Sequence, residues 1–267
     1  MRNRWSSFLI SMAAALTATV TLSTSAHSQA SPQQTLAKSA PETAPAPKRD
    51  LTGVWQLQGD GSAQPIAPDA SMPPMTPWAK ARFDAEKPGY GIRGAAGGND
   101  PILQCDPIGF PRIMLMPLPM EFVPVRGRIL QFWEREHEWR SIWTDGRKLP
   151  EDSDPTWFGY AIGHWEGDDT LVVESSGFDD KTWLGPTGYP HSEQMRITER
   201  YHRVDRDTIV YDMTITDPAA YIKPVVAPQR ILKLKPREEL EELPCVWSEE
   251  NEFTQRIRNP ATPKPAK

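Results

Sequence analysis

Glu199 and His191 carry the sharpest chemical signal in the chain. Over residues 195–204 the side chains alternate, with Met195, Ile197, Glu199, Tyr201 and Arg203 on one face and Arg196, Thr198, Arg200 and His202 on the other. A strand here places Glu199 among apolar neighbours. The next stretch repeats the pattern, with Ile209, Tyr211, Met213 and Ile215 sharing a face. A carboxylate among Met, Ile and Tyr is costly to bury unless paired, and desolvation raises its pKa toward the range of general acid or base work. Its structural alternative is an ion pair with an inward Arg such as Arg203, or a hydrogen bond to a Tyr. His191 lies in the turn-rich Gly185-Pro-Thr-Gly-Tyr-Pro-His-Ser192, which feeds directly into the Glu199 stretch. A histidine beside a carboxylate is the minimal acid/base unit, so His191 and Glu199 form the candidate catalytic pair. A hydrogen-bonded loop histidine without chemistry is the commoner arrangement.

The aromatic residues offer a different chemistry, a lined apolar cavity. Of the chain's 10 Trp, Trp55, Trp133, Trp139, Trp143, Trp157, Trp165, Trp183 and Trp247 are spread over nearly every predicted strand, and they either pack a core or wall a ligand site. His164 shares a face with Tyr160 and Ile162, and His137 shares one with Trp139 and Trp143. The candidate ligand-lining set is Trp139, Tyr160, His164, Trp183, Tyr201 and Tyr221. Asp145, Asp152, Asp154, Asp179 and Asp180 are acidic loop residues, but their spacing matches no EF-hand, and solvated turns explain them. Other motifs fail in context. Gly89-Tyr-Gly-Ile-Arg-Gly94 follows a helix rather than a strand, and His137-Glu138 lacks the second His of a zincin. No nucleophile elbow, phosphate-binding lysine loop or zinc spacing occurs. Neither a metal nor a cofactor is therefore expected.

The elements that must position these residues are mostly strands. Residues 51–58 read as a first strand, and 77–87 as a helix with Thr76 as its N-cap and Pro77 at the favoured first position. Further strands are predicted over 121–125, 128–134, 137–143, 157–166, 170–176, 195–204, 208–216 and 229–235, separated by Gly- and Asp-rich turns. A last segment spans 244–253. Tight turns without alternating helices mean an antiparallel sheet. The expected fold is mainly β, a closed or nearly closed calycin-like antiparallel barrel with one short N-terminal helix, because closure removes bare edges; a β-sandwich is the alternative.

Composition and processing bound the remaining possibilities. With 38% apolar and 24% charged residues the chain is globular, and its 28 Pro argue against a helical bundle. A net charge of -5 without a dense basic run makes nucleic acid an improbable partner. Arg2 and Arg4 followed by an apolar stretch over 8–22 read as a secretory signal (1–30) cleaved near Ala30, too short for a retained membrane span. A Pro/Ala-rich linker (31–49), one barrel domain (50–255) and a disordered tail (256–267) follow. Cys105 and Cys245 are the only cysteines, and export favours their pairing as a disulfide; two buried free thiols remain the alternative.

Two resemblances extend this reading. Gly53-Val-Trp55 is similar to the G-x-W start of lipocalins and other calycins, barrels that hold small apolar ligands. More of the chain is covered by Thr144-Asp-Gly-Arg147, Asp154-Pro-Thr-Trp157, Ile162-Gly-His-Trp-Glu-Gly167, Thr170-Leu-Val-Val173, Gly177-Phe178, Lys181-Thr-Trp-Leu184, Pro190-His-Ser192 and Thr198-Glu-Arg200. With Asp217-Pro218, Tyr221-Ile-Lys-Pro224 and the upstream Cys105-Asp-Pro-Ile-Gly-Phe-Pro-Arg112, this pattern resembles a family of secreted bacterial proteins of unassigned function. That resemblance implies kinship without implying chemistry. The leading expectation is a periplasmic or secreted barrel binding a small, largely apolar molecule. The alternatives are a cyclase, isomerase or hydrolase using His191 and Glu199, and a structural envelope protein without ligand.

Overall fold

A computed structural model of the chain describes residues 45–62, 64–88, 93 and 98–258. The expected signal segment, the linker up to residue 44 and the tail from 259 lie outside the described residues. The described residues belong to one compact unit, Ser39–Lys267.

Ten strands form: β1 (Gly53–Leu57), β2 (Met120–Val125), β3 (Arg128–Trp133), β4 (Trp139–Trp143), β5 (Tyr160–Glu166), β6 (Thr170–Ser176), β7 (Arg196–Asp205), β8 (Thr208–Thr216), β9 (Val225–Val226) and β10 (Arg230–Leu234). β10 pairs with both β1 and β8, which closes nine strands into a barrel, while the two-residue β9 adds to the end of β8. Closure rules out the sandwich and leaves no bare ring edge. A ring with an odd number of strands cannot alternate direction throughout, and the one parallel contact is β4 with β5, at Ile142 opposite Ala161. Hairpins cannot join parallel neighbours, so residues 144–159 cross from one end of the barrel to the other.

Local chemistry accounts for the helices. α1 (Pro77–Ala85) starts as expected, with the Thr76 hydroxyl accepting from the Ala79 amide at 3.2 Å. A second helix, α2 (Trp247–Phe253), occupies the C-terminal segment where only an undefined element was expected. Glu249 and Glu250 sit in its first turn, where negative charge complements the helix dipole.

The core is the barrel interior and the loops that plug it. At the end where β1 begins and β7 finishes, the Arg203 guanidinium lies 5.0 Å over the Trp55 ring and donates to the carbonyls of Asp50 (2.6 Å) and Arg206 (2.7 Å). Trp55 Nε1 donates in turn to the Leu51 carbonyl at 2.8 Å. At the opposite end, Ile108, Phe110, Ile113, Met114 and Leu115 are fully buried in the segment between α1 and β2. Cys105 and Cys245 form the expected disulfide and tie that segment to the one leading into α2. Residue 105 is followed within five positions by Phe110, so the cross-link anchors the plug at its root.

Candidate functional site

The predicted facing of β7 and β8 holds. Ile197, Glu199, Tyr201 and Arg203 are buried and alternate with exposed Arg196, Thr198, Arg200 and His202, and β8 buries Ile209, Tyr211, Met213 and Ile215. Glu199 is therefore inside the barrel with no exposed surface. The cation that meets it is Arg140 from β4. Arg140 Nη2 donates to Glu199 Oε1 at 2.9 Å, and Nη1 approaches Oε2 at 2.8 Å as an ion contact without hydrogen-bond alignment. Tyr201 and Tyr211 donate their hydroxyls to the same Oε1, at 2.6 and 3.0 Å, and Gln131 accepts from Arg140 Nε at 2.9 Å. Arg203, the expected partner, is committed to the opposite floor.

The electrostatics keep Arg140 charged and both tyrosines protonated. Burial opposes the Arg140 charge, yet Glu199 and the tyrosines more than offset it and raise its pKa above the ordinary arginine value. Burial first, and then the Glu199 charge, push the Tyr201 and Tyr211 phenols well up, so both remain protonated donors. Aromatic rings wall the cluster. Arg140 stacks under Phe110 at 4.0 Å and lies 5.8 Å from Trp133, and Trp133 stacks on Phe158 at 5.5 Å.

Among the inward-facing polar atoms, Trp133 Nε1 and Ser175 Oγ have no hydrogen-bond partner, while Arg140 Nη1 and Glu199 Oε2 have only their ion contact with each other at 2.8 Å. Strand register turns all four inward, since Ser175 pairs with Ile197 and Gln131 with Arg140. Buried polar groups are normally satisfied, so two orphaned donors and an unaligned ion contact mark a place where polar contacts remain to be made.

His191 is elsewhere in chemical terms. It is buried, and its Nε2 lies 2.7 Å from the Thr182 hydroxyl while Nδ1 has no partner. Burial pushes its pKa down to about 4 despite the nearby Asp217 charge, so the ring is neutral at neutral pH. No hydrogen bond joins it to Glu199. Next to it, Ser192 donates its amide (2.6 Å) and hydroxyl (2.7 Å) to Asp217, and the Tyr221 hydroxyl donates to the Pro190 carbonyl at 2.8 Å. These bonds fix the loop that carries His191.

Of the six expected lining residues, Tyr201 belongs to the interior cluster. Trp183 and Tyr221 are buried in loops beyond the strand ends, Trp183 beneath Arg112 at 5.6 Å, itself paired with Asp100. Trp139, Tyr160 and His164 face outward, which corrects the expectation. Trp139 is 52% exposed beside Phe132, Tyr160 accepts from Arg147 at 2.9 Å, and His164 lies exposed 3.8 Å from Glu166. The reason is parity. Glu136 and His137 take left-handed conformations, so the strand starts only at Trp139, and Arg140 and Ile142 turn inward while Trp139 and Trp143 turn out. Arg147 and Arg128 then cover Trp143 at 3.6 and 4.9 Å. Arg140 was legible in principle: an inward Glu199 demands an inward cation, and Arg140 shares its face with Ile142.

Two clefts open at the ends of the barrel strands. One of about 630 Å³ lies between residues 150–155 and the ends of β6, β7 and β8; the other, about 570 Å³, lies beside the end of β1 and the start of β10. Neither is lined by a member of the Arg140 cluster. Among the described residues no three His, Cys, Asp or Glu side chains converge as a metal site requires, and no helix is long and apolar enough to cross a membrane. Comparison with protein-family models, curated proteins and solved structures finds no match for the chain.

Proposed function

We propose that this is an exported binding protein, periplasmic or secreted, whose barrel interior takes a small, largely apolar molecule bearing one group that both donates and accepts a hydrogen bond. The observation that carries this reading is the pair of orphaned donors, Trp133 Nε1 and Ser175 Oγ, on the same inner face as the unaligned ion contact between Arg140 and Glu199, inside aromatic walls. A ligand hydroxyl or amide would donate to Glu199 Oε2 and accept from Arg140 Nη1 or Trp133 Nε1, and an aromatic body would take the place of Phe110 over the guanidinium. Entry requires Phe110 to move, together with the segment that Cys105 anchors. The disulfide supports an oxidising compartment.

The acid/base reading draws support from His191, a neutral buried imidazole against a hydroxyl, but receives less from Glu199, whose bonded oxygen is shared by Arg140, Tyr201 and Tyr211. Native mass spectrometry of the gently purified mature protein, compared with its denatured mass, tests the proposal. An added mass that is lost on denaturation, and lost equally in a folded Glu199→Gln variant, supports interior binding. The bare chain mass, with no thermal shift from phenolic or amide probes, overturns it in favour of a structural role. Turnover of a bound probe that stops in Glu199→Gln would replace binding with catalysis.

A further inference from the structure

The cleft beside β1 and β10 has a chemistry unlike the interior. We infer that it is a second ligand site, one that binds the carboxylate of a small apolar acid. Its volume of about 570 Å³ falls in the range of small-molecule pockets. Its lining is partly apolar, with Leu57, Pro65, Pro68, Pro228 and Ile231, rigid rings and branched side chains that lose little freedom on contact. The lining also carries Arg230 with Gln58, Gln64 and Gln229, and no Asp or Glu lines the cleft.

Arg230 is the decisive residue. It is half-buried at the start of β10, on the strand's inner face opposite Tyr211, and makes no ion pair among the described residues; its side chain's hydrogen bond runs from Nη2 to the Pro65 carbonyl at 2.6 Å. Its Nε is buried without a partner. A guanidinium held part-way out of water without a counter-charge is a site prepared for an anion, and its planar fork fits a carboxylate. Burial lowers its pKa, with only Tyr211 offsetting this. The surrounding glutamines divide their roles. Gln229 Nε2 gives one of its two N–H groups to Asp212 on the outer face of β8 at 3.0 Å and Gln64 Nε2 one of its two to the Ser62 carbonyl at 3.4 Å, whereas the exposed Gln58 side chain has both free for the second carboxylate oxygen. The strand ends hold Gln58 beside β10, because its backbone N–H donates to the Ile231 carbonyl at 2.8 Å.

The apolar lining sets the ligand class. Inorganic phosphate would satisfy Arg230 but leave the prolines idle, whereas an alkyl or aryl acid uses both the cation and the apolar residues. Titration calorimetry of the mature, disulfide-intact protein with octanoate, octan-1-ol and inorganic phosphate tests this. Octanoate should bind more tightly than either control and more weakly as salt rises. Losing the charge-assisted bonds in Arg230→Gln should weaken octanoate by about tenfold or more. The exposed Gln58→Glu, which places a like charge opposite the ligand, should weaken it as well and covers the case in which Arg230→Gln fails to fold. Octanoate affinity unchanged in the folded variants would place the acid elsewhere, the barrel interior included, and overturn the assignment. Phosphate binding as tightly as octanoate, or no octanoate binding, would do the same.

Discussion

Arg140 on β4 and Glu199 on β7 meet inside the barrel at 2.8 Å, both essentially without exposed surface, although they are separated by the crossover and two intervening strands. A dry ion pair of this kind is weak evidence for stability as such, because desolvation of both charges offsets their attraction. Its removal in halves is another matter.

Arg140→Met or Glu199→Leu alone strands a buried charge and should cost about 3–5 kcal/mol of unfolding free energy. The double variant should cost less than the two singles added together, since no charge is left behind, although Tyr201 and Tyr211 lose their acceptor. Urea titrations of the four proteins give the coupling energy, and strictly additive costs would refute a coupled pair.

His191 makes stability depend on pH in a defined window. Its folded pKa is pushed down to about 4 from 6.5, so as pH falls the unfolded chain takes up the proton first. The neutral ring's contribution is fully present above 6.5 and lost progressively down to about 4, with a total of about 3 kcal/mol. His191→Asn should be less stable than wild type at pH 7 and lose less on acidification. A wild-type to variant difference that stays constant between pH 7 and 4 would exclude this linkage.

Reduction of Cys105–Cys245, which are 140 residues apart, should remove about 5 kcal/mol through the entropy of the unfolded chain. Because the bridge anchors the segment carrying Phe110, proteolysis should begin within residues 98–119 in the reduced protein. Calorimetry with and without reductant, followed by mapping of the first cuts, checks both points.

Arg203→Lys keeps the charge but loses the planar stack on Trp55 and the fork that holds the Asp50 and Arg206 carbonyls. A loss of about 2 kcal/mol is expected, with a change in tryptophan fluorescence from the altered Trp55 surroundings. A neutral effect would mean that the floor of the barrel is held by Trp55 and its neighbours alone.

The facing of β3 and β4 predicts opposite outcomes for two tryptophans. Trp133→Ala removes a buried ring stacked on Phe158 and should cost about 3–5 kcal/mol. Trp139→Ser changes an outward residue and should cost about 0.5 kcal/mol or less. Thermal denaturation of the two variants side by side separates them, and equal costs would contradict the strand's parity.

What was legible in the sequence was local. Period-two alternation identified the buried faces of β7 and β8, including Glu199 among Met, Ile and Tyr, because neighbours along a strand share one backbone geometry. Thr76 and Pro77 marked the start of α1, the one by accepting from a free amide and the other by lacking one, and a lone pair of cysteines pointed to the disulfide. Tertiary structure decided what lies far apart in sequence. Alternation says which residues share a face, not which face is inside, so only the closed ring showed Trp139 and Tyr160 to be outside and Arg140 inside. The choice of Arg140 over Arg203 for Glu199 follows from the order of strands around the barrel, and the parallel β4–β5 contact follows from closing an odd number of them. Neither has a local signature, because both depend on contacts between segments that meet only when the sheet closes.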